Sequence, residues 1–144
     1  MESTMEIKKS LYDYYMDVAI KTSELSYCVR AKVGAVVVTK TGAMFAAYNG
    51  TIAKHYPNIC ELEDGSTAPY TTHAEEQCLY KMLKEGVSAE GATLFVTTSC
   101  CVNCARMIAC SGVEKIVYLD EYRDKTGLEI LKTCQVVIEK YNQT

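Results

Sequence analysis

Two short stretches restrict the fold of this chain more than any other feature: His73-Ala74-Glu75 and Cys101-Val102-Asn103-Cys104. Each opens a segment of helical character. One imidazole and two thiolates are borderline-soft donors that suit Zn2+. If the three share one ion, two helix N-termini must converge on it. That is electrostatically favourable, because a helix N-terminus stabilises thiolate and other anions. Three protein donors leave one tetrahedral position open, as in a catalytic rather than a closed structural site. Glu75 follows His73 by two, and such positions do not share a helix face. It is therefore read as a carboxylate beside the open position, placed to carry protons, and not as a ligand. Cys100 directly precedes the pair and is an alternative ligand. The two-residue gap and the following Ala105 favour Cys101 and Cys104.

The rest of the chain alternates between two periodicities. Leu11, Tyr14, Tyr15, Val18, Ala19 and Leu25 recur at helical spacing, which predicts an amphipathic first helix within residues 8–28. Val33–Thr39 is β-branched and apolar, a strand buried on both faces. Lys40–Gly42 is a turn and Ala43–Gly50 a second strand, so the two form a hairpin. Thr51–Thr72 holds both prolines and no sustained period, and a loop this long is usually functional or disordered. A helix over His73–Glu85 stops at Gly86. A strand over 92–98, a helix over 102–112, a strand over 114–119, a helical segment over 126–134 and a last strand over 135–141 follow. This order, α-β-β-α-β-α-β-α-β, predicts one domain over 1–144 with a mostly parallel sheet and helices on both faces.

Composition removes several functional classes. No apolar run approaches the ~20 residues of a membrane span. The start, MESTMEIKKS, has no apolar core of a secretory signal. The net charge is −3 with scattered Lys and Arg, which argues against a protein that grips polymeric nucleic acid. Arg30, Arg106 and Arg123 are the only arginines, and each is a candidate phosphate contact. Of eight cysteines, three crowd into residues 100–104, which reads as metal or redox chemistry in a reducing cytoplasm rather than a disulfide framework. Cys28, Cys78, Cys110 and Cys134 read as small core residues. His55 reads as a solvated loop residue, with a second zinc site using His55 and Cys60 as the alternative. Tyr12, Tyr14, Tyr15 and Tyr27 read as packing or subunit contacts.

The pair of motifs resembles the H-x-E…P-C-x-x-C signature of the zinc-dependent deaminases. Within that superfamily the whole chain is similar to the deoxycytidylate deaminases. Val33-Gly34-Ala35-Val36-Val37-Val38 resembles their first strand, Tyr48-Asn49-Gly50 their turn after the second, and Val117–Arg123 their fourth. Cys100 stands where the family has proline. Gln77-Cys78 replaces its asparagine-alanine pair, and the segment after Gly50 departs from its proline-glycine sequence. The resemblance implies a three-layer α/β/α sandwich around a five-stranded mixed sheet, of the cytidine deaminase-like class. It implies hydrolytic deamination of dCMP to dUMP by zinc-activated water, supplying dUMP for thymidylate synthesis. Zn2+ would be held by His73, Cys101 and Cys104, with Glu75 as the proton shuttle. Asn49, Tyr122, Ala74, Thr98 and Ser99 would contact the substrate. Arg30, Gly50 and Arg123 would serve as phosphate or effector contacts. The family further implies activation by dCTP, inhibition by dTTP and a homo-oligomer, commonly a hexamer; dCTP as a second substrate beside dCMP stays open. The competing readings are a deaminase of nucleosides, guanine or tRNA adenosine, and a structural zinc module that would need four ligands and no Glu75.

Overall fold

The computed structural model describes residues 6–143; Met1–Met5, at the start of the segment tested for a signal sequence, lie outside them. The sheet has the order β2-β1-β5-β6-β7, with β1 at Gly34–Val38, β2 at Met44–Tyr48, β5 at Thr93–Thr98, β6 at Lys115–Asp120 and β7 at Val137–Lys140. The hairpin pairs Gly34 with Tyr48 and Val38 with Met44. β1 is also antiparallel to β5, whereas β5–β6 and β6–β7 are parallel. β1 alone thus opposes the other strands, giving a mixed sheet. The reason is the crossover: the chain leaves β2, passes through α2 (Ala74–Glu85) and returns as β5 on the far side of β1. Two further strands, β3 (Gly50–Thr51) and β4 (Thr71–Thr72), form a separate short ladder that closes the long loop.

The sheet is buried on both faces because its apolar residues alternate between two cores. Val36, Val38, Phe95 and Val117 pack under α1 (Tyr12–Ser23). Ala35, Val37, Leu94, Val96 and Ile116 pack under α2, α3 (Val102–Ser111) and α4 (Thr126–Thr133). This is the expected α/β/α sandwich. Helices α2 and α3 end on left-handed glycines, Gly86 at φ 70° and Gly112 at φ 93°, where other residues would be strained. Among the described residues, no helix is long and apolar enough to cross a membrane.

Several expectations are corrected. The first helix buries Tyr12, Met16 and Ala19, while Leu11, Tyr14 and Leu25 are exposed. It stops at Ser23, where Thr22 and Ser23 donate hydroxyl hydrogen bonds back to the carbonyls of Val18 and Ile20. Leu25 and Cys28 therefore fall in the following loop. Cys110 and Cys134 are exposed rather than core residues. Cys110 is off the face of α3 that buries Cys104, Ala105 and Ile108, and Cys134 caps the end of α4. Cys28 and Cys60 are joined in a disulfide, against the expectation of unpaired cysteines. Cys60 is thereby unavailable to a second zinc with His55.

Candidate active site

His73 is the N-cap residue of α2. Its backbone N–H donates to the Glu76 carboxylate at 2.8 Å, which fixes the start of the helix. Cys101 is the N-cap of α3, in extended conformation, and Cys104 lies in that helix's first turn. The two starts meet. His73 Nδ1 is 3.5 Å from Cys101 Sγ and 3.2 Å from Cys104 Sγ. Among the described residues these three side chains form a cluster with all donor atoms within 4.8 Å of one another. Separations of this size suit donors sharing a tetrahedral ion at ~2.0–2.3 Å. The donor set thus fits Zn2+, and the sulfur that joins the cluster is that of Cys101 rather than Cys100. Cys100 is 1 % exposed within the apolar core, and burial pushes its thiol up to about 12. Cys101, hydrogen-bonded by the Cys104 thiol and by His73, is held as thiolate, down to about 3. The same shared hydrogen bond raises Cys104. Glu75, in the first turn of α2, is 4 % exposed, and burial pushes its carboxyl up to about 7.

The cluster opens onto a cavity of about 590 Å3 at the carboxyl ends of β2, β5 and β6. Ligand crevices of α/β sheets lie at such ends. His73, Ala74, Glu75 and Cys101 line it together with Asn49, Thr98, Ser99 and Tyr122. Arg30 and Arg123 line it as well. Gly50 is not brought to the cavity. It is buried in β3, where the Tyr27 hydroxyl would stand 2.8 Å from any added Cβ.

The lining residues are fixed to different degrees. Asn49 Oδ1 accepts the Val33 N–H at 2.9 Å and its Nδ2 donates to the Ala31 carbonyl at 2.8 Å, leaving one further donor and one acceptor valence. Ser99 is 3 % exposed and its hydroxyl accepts the Tyr122 N–H at 2.7 Å, so Ser99 positions Tyr122. Arg30 is engaged: it donates to Thr67 Oγ1 at 3.1 Å and to the Gly65 carbonyl. Arg123 lines the cavity without a hydrogen bond or ion pair among the described residues.

The irregular loop is strapped to this wall. Besides the Cys28–Cys60 disulfide, the Glu61 carboxylate accepts the N–H groups of Val29 and Arg30, and the Arg30 contact is the main cause holding its pKa low. Cys28, Glu61 and Thr67 line the cavity, and Glu121 joins them from beyond β6. None of these four was singled out as a site residue. A glutamate in an unpatterned loop carries no local signal of its distant partners. The cross-link spans 32 residues. Chain-entropy reasoning makes such a closure worth about 3–4 kcal/mol. Cys60→Ser is accordingly expected to melt several degrees lower than the parent. Thiol counting of the unreduced, denatured parent should find the six cysteines outside the bond, against eight after reduction. Eight before reduction would show that the pair is not bonded.

The model of the cytidine and deoxycytidylate deaminase zinc-binding region matches residues 9–120. The chain belongs to this family. The deoxycytidylate deaminase of Mycobacterium phage D29 is 32% identical over 122 residues, covering 76% of this chain and 94% of the phage protein. That of Saccharomyces cerevisiae is 28% identical over 148 residues, covering 96% of this chain but 47% of the yeast protein. A crystal structure of dCMP deaminase from the cyanophage S-TIM5, in complex with dCMP and dUMP, superposes with a TM-score of 0.89 at 42% identity. It covers 94% of this chain and all of the phage chain. The family's zinc-binding region encloses both the His73 and the Cys101–Cys104 motifs.

Proposed function

We propose that this chain is a single-domain dCMP deaminase that hydrolyses dCMP to dUMP and ammonia. One observation carries the reading: the cluster of His73, Cys101 and Cys104 borders, through His73 and Cys101, a nucleotide-sized cavity that buried Glu75 also lines. The likeness to a phage enzyme crystallised with dCMP and dUMP supports the choice of substrate. His73, Cys101 and Cys104 hold Zn2+, which when bound acidifies water and polarises the reacting centre. Glu75 takes one proton from water and delivers it to N3 of the cytosine as the water oxygen bonds to C4; it then carries the second proton, from the new C4 hydroxyl, to the amino group, so that the C4–N bond breaks, ammonia leaves and the C4 carbonyl of uracil remains. The backbone around Ala74, Thr98 and Ser99 forms the walls that receive the base. Asn49, locked by Val33 and Ala31, offers its remaining valences to the sugar-phosphate side. Arg123, unengaged in the cavity lining, is the phosphate cation in preference to Arg30, whose guanidinium is committed to Thr67 and Gly65.

A dianionic 5′-phosphate rewards such donors. Charge-assisted hydrogen bonds are worth roughly 1.5–3 kcal/mol each. Two of them separate nucleotide from nucleoside by ~10²-fold or more in kcat/KM. A panel of dCMP, deoxycytidine, dCTP and guanine against the zinc-loaded protein tests this. dCMP should lead deoxycytidine by at least that factor, and Arg123→Gln should narrow the gap. Equal values for dCMP and deoxycytidine would mean that the phosphate is not read, and that the enzyme is a nucleoside deaminase. The reading extends to activation by dCTP, inhibition by dTTP and a homo-oligomeric, hexameric assembly, supported by family membership. The same panel with triphosphates added, and light scattering, test those parts. The reading extends to a cytoplasmic location, where the nucleotide pool is, a compartment in which a bond such as Cys28–Cys60 is uncommon.

A further inference from the structure

We propose that Gly127 is a positioning residue for the metal-ligand pair. Its missing side chain lets the first turn of α4 lie directly on the Cys100–Cys101 backbone, which sets the Cys101 sulfur against Cys104 and His73. The inference rests on the reading of these three residues as metal ligands.

A Cβ at Gly127 would lie 2.6 Å from the Cys100 carbonyl oxygen, 3.0 Å from that of Cys101 and 3.1 Å from the Cys101 carbonyl carbon. Non-bonded carbons rest at ~3.5–4.0 Å. The opposing atoms are backbone, so no side chain can swing aside. Gly127 does not have positive φ. Its conformation therefore accepts alanine, which is the better helix former, and space alone demands glycine.

Neither side of the contact is free to yield. α4 is anchored in the core by Leu131 and Leu128, and its start is fixed by the Thr126 N–H donating to the Asp124 carboxylate at 3.0 Å. On the other side, the Ser99 N–H donates to the Asp120 carbonyl at 2.8 Å, and Cys100 is buried. The Cys101 carbonyl accepts the Ala105 N–H at 2.9 Å, a bond that helps close the turn containing Cys104. Pushing that carbonyl away reorients the peptide from which the Cys101 side chain projects, and disturbs the turn that holds its partner sulfur. The sequence offers no hint of this contact, because Gly127 lies in a helical segment remote from the Cys-x-x-Cys motif.

Cobalt(II) substitution tests the inference without relying on turnover. The parent should bind about one Co2+ per chain with intense d–d bands and a thiolate-to-cobalt charge-transfer band. Gly127→Ala should keep its far-UV circular dichroism, shift those bands and bind Co2+ ~10–100-fold more weakly, the range seen when a residue supporting a metal ligand is lost. Gly112→Ala is the control. It strains a left-handed glycine that packs on Glu90, away from the sulfurs, so it should melt lower with the parent's cobalt spectrum intact. A parent without a thiolate-to-cobalt band would overturn the ligand assignment and the inference with it. A parental spectrum and affinity in folded Gly127→Ala would overturn the inference alone. Should Gly127→Ala not fold, Leu128→Ala loosens the same helix by trimming it. The inference then requires weaker Co2+ binding than in Gly112→Ala at matched loss of Tm, and equal binding would sink it.

Discussion

Glu75→Gln is expected to lower kcat by ~10²–10⁴, the contribution of a positioned acid/base, with metal content and dCMP binding retained. Glutamine keeps the length, the shape and one hydrogen-bonding oxygen, but it cannot accept a proton and release it again. The expected loss is large because of where Glu75 sits. It is 4 % exposed in the first turn of α2, lining the same cavity as His73 and Cys101. Bulk water cannot easily stand in for a carboxylate so enclosed. In the metal-free site burial raises its carboxyl to about 7, a sign of how far the fold withdraws it from solvent. A glutamate that merely favoured the helix dipole would be worth ~0.3–1 kcal/mol of stability and nothing in turnover. Steady-state kinetics, zinc analysis and calorimetric titration with dCMP separate these cases. A variant that keeps more than about a tenth of the parent rate removes Glu75 from the proton-transfer role.

Cys104→Ser is expected to abolish stoichiometric zinc. Cys104 is buried, 3.2 Å from His73 Nδ1, and lies in the helix whose N-cap is Cys101. Replacing sulfur by a neutral hydroxyl removes one of two thiolates from a donor set that has no fourth side chain to compensate among the described residues. The loss in affinity should exceed the ~10–100-fold typical of outer-shell changes. Elemental analysis after dialysis against a weak chelator measures the loss. Full zinc occupancy in Cys104→Ser would defeat the ligand set.

The elements nearest the chemistry were the most legible. His73-Ala74-Glu75 and Cys101–Cys104 combine donors of the right softness with helix starts, and both properties are local. The hairpin and the buried strands could be read from β-branched runs and turn residues. The stripe expected of the first helix holds in part: Tyr15, Val18 and Ala19 pack on the core, whereas Leu11 and Tyr14 are exposed, because Tyr and Leu give similar apolar signals around the whole segment and only tertiary packing selects Tyr12 and Met16. Ser99 lines the cavity and also holds Tyr122, a contact made 23 residues apart.

What the sequence determined by itself is thus the set of parts: the His73, Cys101 and Cys104 trio, the carboxylate of Glu75, the order of strands and helices, and the Asn49 turn. Each is encoded within a few residues, by side-chain chemistry or by a periodicity that one element can satisfy alone. The tertiary structure decided how the parts meet. It set β1 against the direction of the other strands, because β5 enters beside β1 after crossing over from β2. It joined Cys28 to Cys60 and turned Glu61 onto the Val29 and Arg30 amides, making a wall from a loop without pattern. It committed Arg30 and left Arg123 unengaged, and it laid Gly127 on Cys101. These outcomes depend on close approach between segments far apart in the chain, and that geometry is set only when both cores close on the sheet.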